Sequence, residues 1–225
     1  MPPALKVCCI QSLEEARLAA GAGAGFLGLV GAMPSGPGPI PDALIAEIAR
    51  EAPPGTTPVL LTSREAARDI VDHVDATGVG AVQLVRTVPP EVRLAVREAR
   101  PDLVILQVIH VEGPDSLDQA LEGAHGADYL LLDSGRPSAA VPELGGTGRI
   151  HDWAVSAAIV ANAPVPVFLA GGLRPENVAA AVAAVRPFGV DGCSGLRSET
   201  GRLDLGRLTV FTHALGVGPG EGLGS

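Results

Sequence analysis

Short apolar segments recur along the chain at similar intervals, and a stretch with helical periodicity follows each of them. The apolar segments show no alternation of apolar and polar residues, which is typical of parallel strands covered by helices. Several helical stretches begin with Pro, Ser or Asp and carry acidic residues in their first turn, where the helix dipole favours negative charge. The predicted strands are residues 5–10, 25–30, 58–63, 81–85, 104–111, 129–134, 166–172 and 189–195.

The number of these segments predicts the fold class. Eight strands that alternate with eight helices in 225 residues favour an α/β fold of the closed (β/α)₈ type, a TIM barrel, over a doubly wound open sheet with fewer strands. No composition shift marks a domain boundary, so we expect a single domain. The barrel is predicted to span residues 1–215, and the Gly-rich residues 216–225 are predicted to form a flexible C-terminal tail.

Composition and charge limit the possible partners. A content of 47% apolar and 18% charged residues is typical of a globular protein, and the net charge of −9 argues against a nucleic-acid partner. No apolar run approaches the roughly 18 residues that a membrane span needs, and the first ten residues lack the features of a signal peptide. We therefore expect a cytoplasmic protein without a membrane partner. Composition leaves open whether it is a monomer or a homodimer.

The ends of the last two predicted strands contain turns suited to phosphate. Active sites of such barrels lie at the carboxyl ends of the strands, and phosphate often binds after the seventh and eighth. Gly171 and Gly172 end the seventh strand, and Ser194 and Gly195 end the eighth. Bare glycines let backbone N–H groups approach phosphate oxygens, although sharp turns need glycine in any case. The two turns together favour a phosphate site.

Two of the three cysteines, Cys8 and Cys9, are adjacent in the first predicted strand. A disulfide between neighbours is strained, and the spacing to Cys193 does not resemble a zinc site, so we expect neither a disulfide nor a bound metal. Alternation along a strand predicts that one of the pair faces into the barrel and the other packs against helices. Asp133, at the end of the sixth strand, is either a loop anchor or a site residue.

Four motifs in the correct order give the chain a specific resemblance. KVCCI (residues 6–10), LLLDS (130–134) with GGTG (145–148) and a following DW, AGGLRPENV (170–178) and GVDGCSG (189–195) are similar to motifs of the phosphoribosylanthranilate isomerase family. The similarity extends from about residue 5 to 215. It implies a (β/α)₈ barrel that converts a phosphoribosyl amine to an aminoketose phosphate by an Amadori rearrangement, without a cofactor.

The resemblance also implies roles for individual residues. Cys8 corresponds to the general base and Asp133 to the general acid, and the phosphate belongs to the turns at Gly171, Gly172, Ser194 and Gly195. Cys9 takes the place of a family glycine, where we expect a packing residue, and Cys193 that of a serine, where we expect a neutral substitution and not a third reactive thiol. Lys6 shares a strand face with Cys8 and either assists the base or is structural.

The chain departs from the family pattern where the aromatic acid would bind. The arginine that usually follows the second strand is missing, QLVR (83–86) replaces QLHG, and Arg197 replaces a glutamate, where we expect an exposed surface charge. Arg86, Arg136 or His110 are candidates to bind a carboxylate instead, since a guanidinium does so in bidentate fashion. Gly145 and Gly146 lie in a loop that either closes over the substrate or only connects two elements.

The leading hypothesis is therefore a phosphoribosylanthranilate isomerase of tryptophan biosynthesis that binds a small phosphoribosyl substrate. Two alternatives stay open. One is a related isomerase that acts on a different phosphoribosyl amine, which would account for the missing arginine. The other is a barrel that binds a sugar phosphate without converting it, because a fold does not establish a function.

Overall fold

Eight parallel strands form a closed barrel in the order β1 to β8, which confirms the predicted fold class. The computed structural model describes residues 2–34, 36–135 and 151–217. The strands are β1 (Ala4–Val7), β2 (Phe26–Val30), β3 (Thr57–Thr62), β4 (Ala81–Leu84), β5 (Val104–His110), β6 (Tyr129–Asp133), β7 (Val167–Leu169) and β8 (Gly189–Gly192). The helices are α1 (Leu13–Gly21), α2 (Asp42–Glu51), α3 (Ala67–Thr77), α4 (Pro90–Ala99), α5 (Ser116–Gly123), α6 (Trp153–Asn162), α7 (Val178–Val185) and α8 (Leu205–Leu215). A short 3₁₀ turn, Ser194–Leu196, lies between β8 and α8.

Several helices begin at a side chain that caps their first turn. The Ser12 hydroxyl accepts a hydrogen bond from the Glu15 N–H at the start of α1, and the Asp152 and Asp204 carboxylates do the same for α6 and α8. None of the helices in the described parts of the chain is long and apolar enough to span a membrane. α8 ends at Leu215 with Gly216 as its C-cap residue, and residues 218–225 of the predicted tail lie outside the described residues.

Apolar side chains fill the interior of the barrel at its amino-terminal end and in its middle. Phe26, Tyr129, Phe168 and Phe188 form a cluster there, with ring centroids 5.2 to 6.0 Å apart. Above them the inward side chains of the middle strands, such as Leu106 and Leu131, are fully buried. A larger apolar layer separates the strands from the surrounding helices. Only the carboxyl ends of the strands are therefore left to form an open site.

β1 is shorter than predicted, and the prediction that Cys9 packs against the helices is wrong. β1 ends at Val7, and Cys9 has a φ of 62°, which is left-handed backbone outside the strand region. The alternation rule therefore stops applying before Cys9. Both Cys8 and Cys9 belong to a cluster of buried side chains at the mouth of the barrel.

Arg197 is buried rather than exposed, which corrects the expectation of a surface charge. Its guanidinium donates to both carboxylate oxygens of Glu15 at 3.1 and 3.2 Å, and to the backbone oxygens of Cys8 and Cys9. Glu15 also accepts hydrogen bonds from the backbone N–H groups of Gln11 and Leu203. This network holds the end of β1 against the residues that follow β8.

We predict that Arg197→Ala lowers the free energy of unfolding by about 3–5 kcal/mol, because it leaves the buried Glu15 carboxylate without its charged partner. Urea denaturation measures the change. The matched control is Arg68→Ala, which removes an arginine whose side chain is 90% exposed. Equal stability changes in the two variants would contradict a structural role for Arg197.

Candidate active site

A single cavity at the mouth of the barrel contains both candidate catalytic side chains. Its empty volume is about 720 Å³, including the solvent of the open mouth. Its polar and thiol groups come mostly from the ends of β1, β6 and β8. Most of its apolar side chains come from β2 to β5 and the loop after β2, and these form its apolar side. The described lining residues are Cys8, Cys9, Val30, Met33, Gly36, Pro37, Leu61, Gln83, Val85, Val108, Leu131, Asp133, Ala170, Gly171, Gly172, Leu173, Asp191, Cys193 and Ser194.

Cys8 follows β1 directly and faces into this cavity. A glycine on the neighbouring strand makes its position possible: a Cβ on Gly28 would lie 2.8 Å from the Cys8 sulfur and 3.1 Å from the Lys6 Nζ. Any larger residue at position 28 would displace the thiol or the ammonium group. The sequence contains Gly28 in the GFLGLV segment, but its role depends on a strand pairing that local patterns do not reveal.

Lys6 lies below Cys8 and is paired with a carboxylate of β8. Its Nζ is 3.0 Å from the Asp191 Oδ2, and the Lys6 side chain has no exposed surface. Burial alone would lower the pKa of Lys6, but attraction to Asp191 and to Cys8 outweighs it and keeps the amine charged. Lys6 does not reach the cavity surface, so its position favours an electrostatic effect on Cys8 over direct contact with a ligand.

The surroundings of Cys8 lower the pKa of its thiol well below the ordinary value. The largest cause is hydrogen bonding from Cys193, followed by hydrogen bonding from Cys9; burial opposes both, and the Lys6 charge adds to them. Hydrogen bonding to Cys193 and then to Cys8, together with burial, raises the pKa of Cys9 well above the ordinary value. Hydrogen bonding to Cys8, together with burial, does the same for the pKa of Cys193, although its hydrogen bond with Cys9 acts in the opposite direction. The negative charge of the three thiols is therefore concentrated on Cys8, as a base requires.

Asp133 closes β6 across the mouth from Cys8, since β7 and β8 lie between β6 and β1. Burial raises the pKa of its carboxyl group, while the charge of His110 and the Ser134 N–H, at 2.8 Å, act in the opposite direction. The negative Cys8 thiolate raises this pKa further. A carboxyl group that keeps its proton more readily than usual suits the role of an acid.

The predicted phosphate turns meet at one side of the cavity. Gly171 and Gly172 have φ values of 81° and 65°, so both adopt left-handed backbone that favours glycine. Gly195 packs against the first turn so closely that a Cβ would lie 2.1 Å from the Leu173 carbonyl oxygen. Gly172 and Ser194 line both the main cavity and a second hollow that also contains Gly195.

Arginines border that second hollow, although the sequence analysis did not associate them with phosphate. Arg174 and Arg207 are exposed, and Arg197, whose side chain is only 7% exposed, lies at its edge. Because Arg197 is paired with Glu15, the positive charge that favours an anion beside the glycine turns comes from Arg174 and Arg207. Arg174 follows β7, whereas Arg197 and Arg207 follow β8. The folded barrel brings the three side chains together, which no local sequence signal indicates.

The remaining candidate residues occupy different positions. Arg86 pairs with Glu65 at 3.3 Å outside the cavity. His110 is buried beside Asp133, its Nε2 donates to the Val85 carbonyl oxygen at 3.0 Å, and its Nδ1 has no hydrogen-bond partner among the described residues. Arg136, Gly145 and Gly146 lie outside the described residues, so their roles stay predictions.

Two polar residues of the cavity were missed by the sequence analysis. Gln83 and Asp191 both line the wall, and both have a buried oxygen without a hydrogen-bond partner among the described residues, Oε1 and Oδ1 respectively. A buried acceptor of this kind usually has a partner. Their inward positions in β4 and β8 identify them as candidates to bind hydroxyl groups of a ligand.

Comparison with known proteins agrees with this geometry. The family model of N-(5′-phosphoribosyl)anthranilate (PRA) isomerase matches residues 5–214. The N-(5′-phosphoribosyl)anthranilate isomerase 2 of Methanosarcina mazei is 37% identical over 210 residues, which are 93% of this chain and 92% of that protein. The isomerase of Thermosynechococcus vestitus is 33% identical over 220 residues, with coverage of 98% and 93%.

Solved structures give the same result. Phosphoribosyl anthranilate isomerase of Thermotoga maritima aligns with a TM-score of 0.81 at 28% identity, covering 95% of this chain and 98% of that one. Another structure describes monomers of the dimeric T. maritima isomerase, at a TM-score of 0.79 and 26% identity. A third holds the isomerase in complex with reduced 1-(o-carboxyphenylamino)-1-deoxyribulose 5-phosphate, also at 0.79 and 26%.

A family match over nearly the whole barrel, with relatives more than 30% identical along it, confirms the resemblance seen in the motifs: the chain belongs to the N-(5′-phosphoribosyl)anthranilate isomerase family.

Proposed function

We propose that Cys8 and Asp133 are the base and the acid of the family reaction, the conversion of N-(5′-phosphoribosyl)anthranilate to 1-(o-carboxyphenylamino)-1-deoxyribulose 5-phosphate in tryptophan biosynthesis. One observation supports this assignment above all others. The two side chains lie across one cavity, and the pKa of each is shifted in the direction that its role needs. A sugar bound between them would have an acid on one side and a base on the other.

The reaction needs two proton transfers on opposite sides of the sugar. Asp133 gives its proton to the ring oxygen of the furanose, the C1–O bond breaks, and the lone pair of the nitrogen forms a protonated imine with C1. The Cys8 thiolate then removes the proton from C2, and the electron pair forms the C1–C2 double bond of an enolamine. Tautomerisation of the enolamine gives the ketone, so the substrate gains and loses no atoms.

Phosphate binding at the glycine turns would position the sugar for these steps. Gly171 and Gly172 leave backbone groups open to the cavity, and Ser194 offers a hydroxyl donor at the start of the 3₁₀ turn. Arg174 and Arg207 add positive charge beside Gly195. A phosphate held here contributes binding energy at a distance from the reacting carbons.

The anthranilate end would lie against the apolar side of the cavity. Met33 and Pro37, from the loop after β2, provide a surface for an aromatic ring. Among the described cavity residues there is no arginine, lysine or histidine to pair with the anthranilate carboxylate. In our proposal Arg136, together with the loop of Gly145 and Gly146, supplies that contact, and His110 supports Asp133 from the next strand.

The lack of a cation on the described apolar side is also the observation that favours a second function. An isomerase that performs the same chemistry on a different phosphoribosyl amine would not need an arginine at the loop of Met33 and Pro37. Acid, base and phosphate turns would be unchanged in that case. The two functions differ only in the amine that the apolar side accepts.

Two further expectations belong to this proposal. Location in the cytoplasm fits the three cysteines, which are free in the structure, because thiols persist in a reducing compartment. The protein is expected to be a monomer or a homodimer, and the related T. maritima isomerase is described as dimeric.

We predict that purified protein converts enzymatically generated phosphoribosylanthranilate, followed as loss of anthranilate fluorescence. Cys8→Ala and Asp133→Asn should each lower kcat by at least about 10²-fold, because each removes one proton transfer. Arg68→Ala, on an exposed helix face, is the matched control. Full activity in either site variant would contradict the assignment. Turnover no faster than buffer, with tight binding of the reduced product, would favour a binding protein.

The thiol pKa provides a separate prediction. Because its pKa is lowered, Cys8 should be a thiolate at pH values where an ordinary cysteine, with a pKa of about 8.5, is protonated. Alkylation of Cys8 by iodoacetamide, quantified by mass spectrometry against pH, should therefore reach half its maximum rate below that value. In Cys193→Ala the midpoint should move to higher pH, since the largest cause of the shift is lost. An unchanged midpoint would refute this account of the base.

The phosphate turns can be tested through Gly195. An alanine there would place a Cβ 2.1 Å from the Leu173 carbonyl oxygen, so Gly195→Ala must move the two turns apart. We expect binding of the reduced product to weaken by about tenfold or more in titration calorimetry, or about 1.4 kcal/mol. Gly80→Ala, where a Cβ meets nothing within 4 Å, is the control. Unchanged affinity in a folded Gly195→Ala protein would place the phosphate elsewhere.

A further inference from the structure

Three sulfur atoms meet at the seam where the barrel closes. The Sγ atoms of Cys8, Cys9 and Cys193 all lie within 4.8 Å of one another. Cys8 and Cys9 follow β1, and Cys193 follows β8, the strand that pairs with β1. Residues 184 positions apart are thus in contact, and their sulfurs border the cavity of the proposed reaction.

The proposed reaction uses only one of these thiols. Cys9 and Cys193 take the places of a family glycine and serine, neither of which is a thiol. Cys9 adopts left-handed backbone, with a φ of 62°, a conformation that glycine adopts without strain. The chain therefore has a cysteine at a position that disfavours any side chain, directed toward a second cysteine. Hydrogen bonding to the Cys8 sulfur needs only one donor from each residue, so it does not account for the direct contact between the Cys9 and Cys193 sulfurs.

The distance between Cys9 and Cys193 distinguishes two uses of such a cluster. Their Sγ atoms are 2.6 Å apart. A disulfide bond is about 2.05 Å long, so its formation needs an approach of roughly half an ångström. Thiolates that share a tetrahedral zinc ion at about 2.3 Å lie roughly 3.8 Å apart, so a metal would have to push this pair apart by more than 1 Å. The geometry favours a disulfide.

We propose that Cys9 and Cys193 are an oxidation site: a peroxide converts them to a reversible disulfide between the ends of β1 and β8, and this spares Cys8 from irreversible oxidation. The disulfide part of the proposal rests on the geometry of the three thiols alone. The protection of activity rests on the proposed function of Cys8.

The chemistry needs only hydrogen peroxide as the oxidant. The Cys8 thiolate attacks one peroxide oxygen, the O–O bond breaks, and hydroxide leaves as water after taking a proton, which gives a sulfenic acid on Cys8. The Cys193 sulfur attacks that sulfenic sulfur, an S–S bond forms, the S–O bond breaks and a second water leaves. Cys9 then attacks the Cys193 sulfur, which forms the Cys9–Cys193 disulfide and releases the Cys8 thiolate. Two thiols lose two electrons in total, and the peroxide is reduced to two waters.

The surroundings permit this exchange without unfolding. All three cysteines line the cavity, so a small peroxide reaches them by the route that a substrate would use. The Cys9 sulfur also contacts the Pro37 carbonyl oxygen at 3.6 Å, and a Cβ on Gly38 would lie 2.9 Å from the Cys9 Cβ. The loop after β2 therefore holds Cys9 on the side of the cavity that contains Cys193.

The first test does not depend on turnover. The full-length protein is treated with hydrogen peroxide, its remaining thiols are alkylated under denaturing conditions, and the linked peptides are identified by mass spectrometry. We expect a Cys9–Cys193 linkage with Cys8 still alkylatable, and complete reversal by dithiothreitol. Cys8 found as sulfinic acid while Cys9 and Cys193 remain thiols would overturn the proposal. So would a zinc ion bound tightly enough to protect all three thiols from peroxide.

A matched variant tests the protection of Cys8. Cys9→Gly/Cys193→Ser restores the family residues and removes both partners, and each protein is compared with its own untreated activity. After peroxide and then dithiothreitol, the wild type should recover most of its activity, whereas the double variant should recover about tenfold less, with Cys8 as sulfinic acid. Equal recovery, with equal oxidation of Cys8, would overturn the protective role even if the disulfide forms. Failure of the proposed function would instead appear as no turnover before treatment.

Discussion

The parallel pairing of β1 with β8 is the constraint on which the site depends. It sets Lys6 opposite Asp191 in register, and their side chains form a buried ion pair at 3.0 Å. Loss of either partner would leave a charge in the interior, a defect that typically costs about 3–5 kcal/mol. Because the pairing joins the first and last strands, the reactive sulfur after β1 acquires neighbours from the end of the chain. Closure of the barrel therefore also assembles the surroundings of Cys8.

The same seam explains how a thiol and a carboxyl group can have opposite charge states in one cavity. Hydrogen bonds and a nearby ammonium group favour the charged form of Cys8, whereas burial favours the neutral form of Asp133. Arg197 fixes the backbone of the two cysteines, since its guanidinium donates to the carbonyl oxygens of Cys8 and Cys9 and pairs with the Glu15 carboxylate. The acidic balance of the chain is compatible with the proposed anionic substrate, because the exposed Arg174 and Arg207 lie beside the predicted phosphate turns.

The sequence predicted the barrel well because its signals are local. Apolar segments, helix starts and glycine turns each depend on neighbouring residues, and the strand ends that present Cys8, Asp133 and Gly171 follow from them. Features that depend on contacts between distant segments were not predictable. Alternation along the strand predicted that Cys9 packs against the helices, but β1 ends before Cys9, which has left-handed backbone and lines the cavity. Arg197 looked like a surface charge because its partner Glu15 lies 182 positions away, and Gly28 showed no role until β1 and β2 were paired.

The central claim is that one cavity holds the sugar between the Cys8 sulfur and the Asp133 carboxyl group. The most direct test is a crystal structure of this protein with reduced 1-(o-carboxyphenylamino)-1-deoxyribulose 5-phosphate. We expect the phosphate at Gly172, Ser194 and Gly195, with Cys8 and Asp133 on opposite sides of the first two sugar carbons. A ligand whose phosphate lies elsewhere, or whose reacting carbons are out of reach of the Cys8 sulfur, would contradict the account.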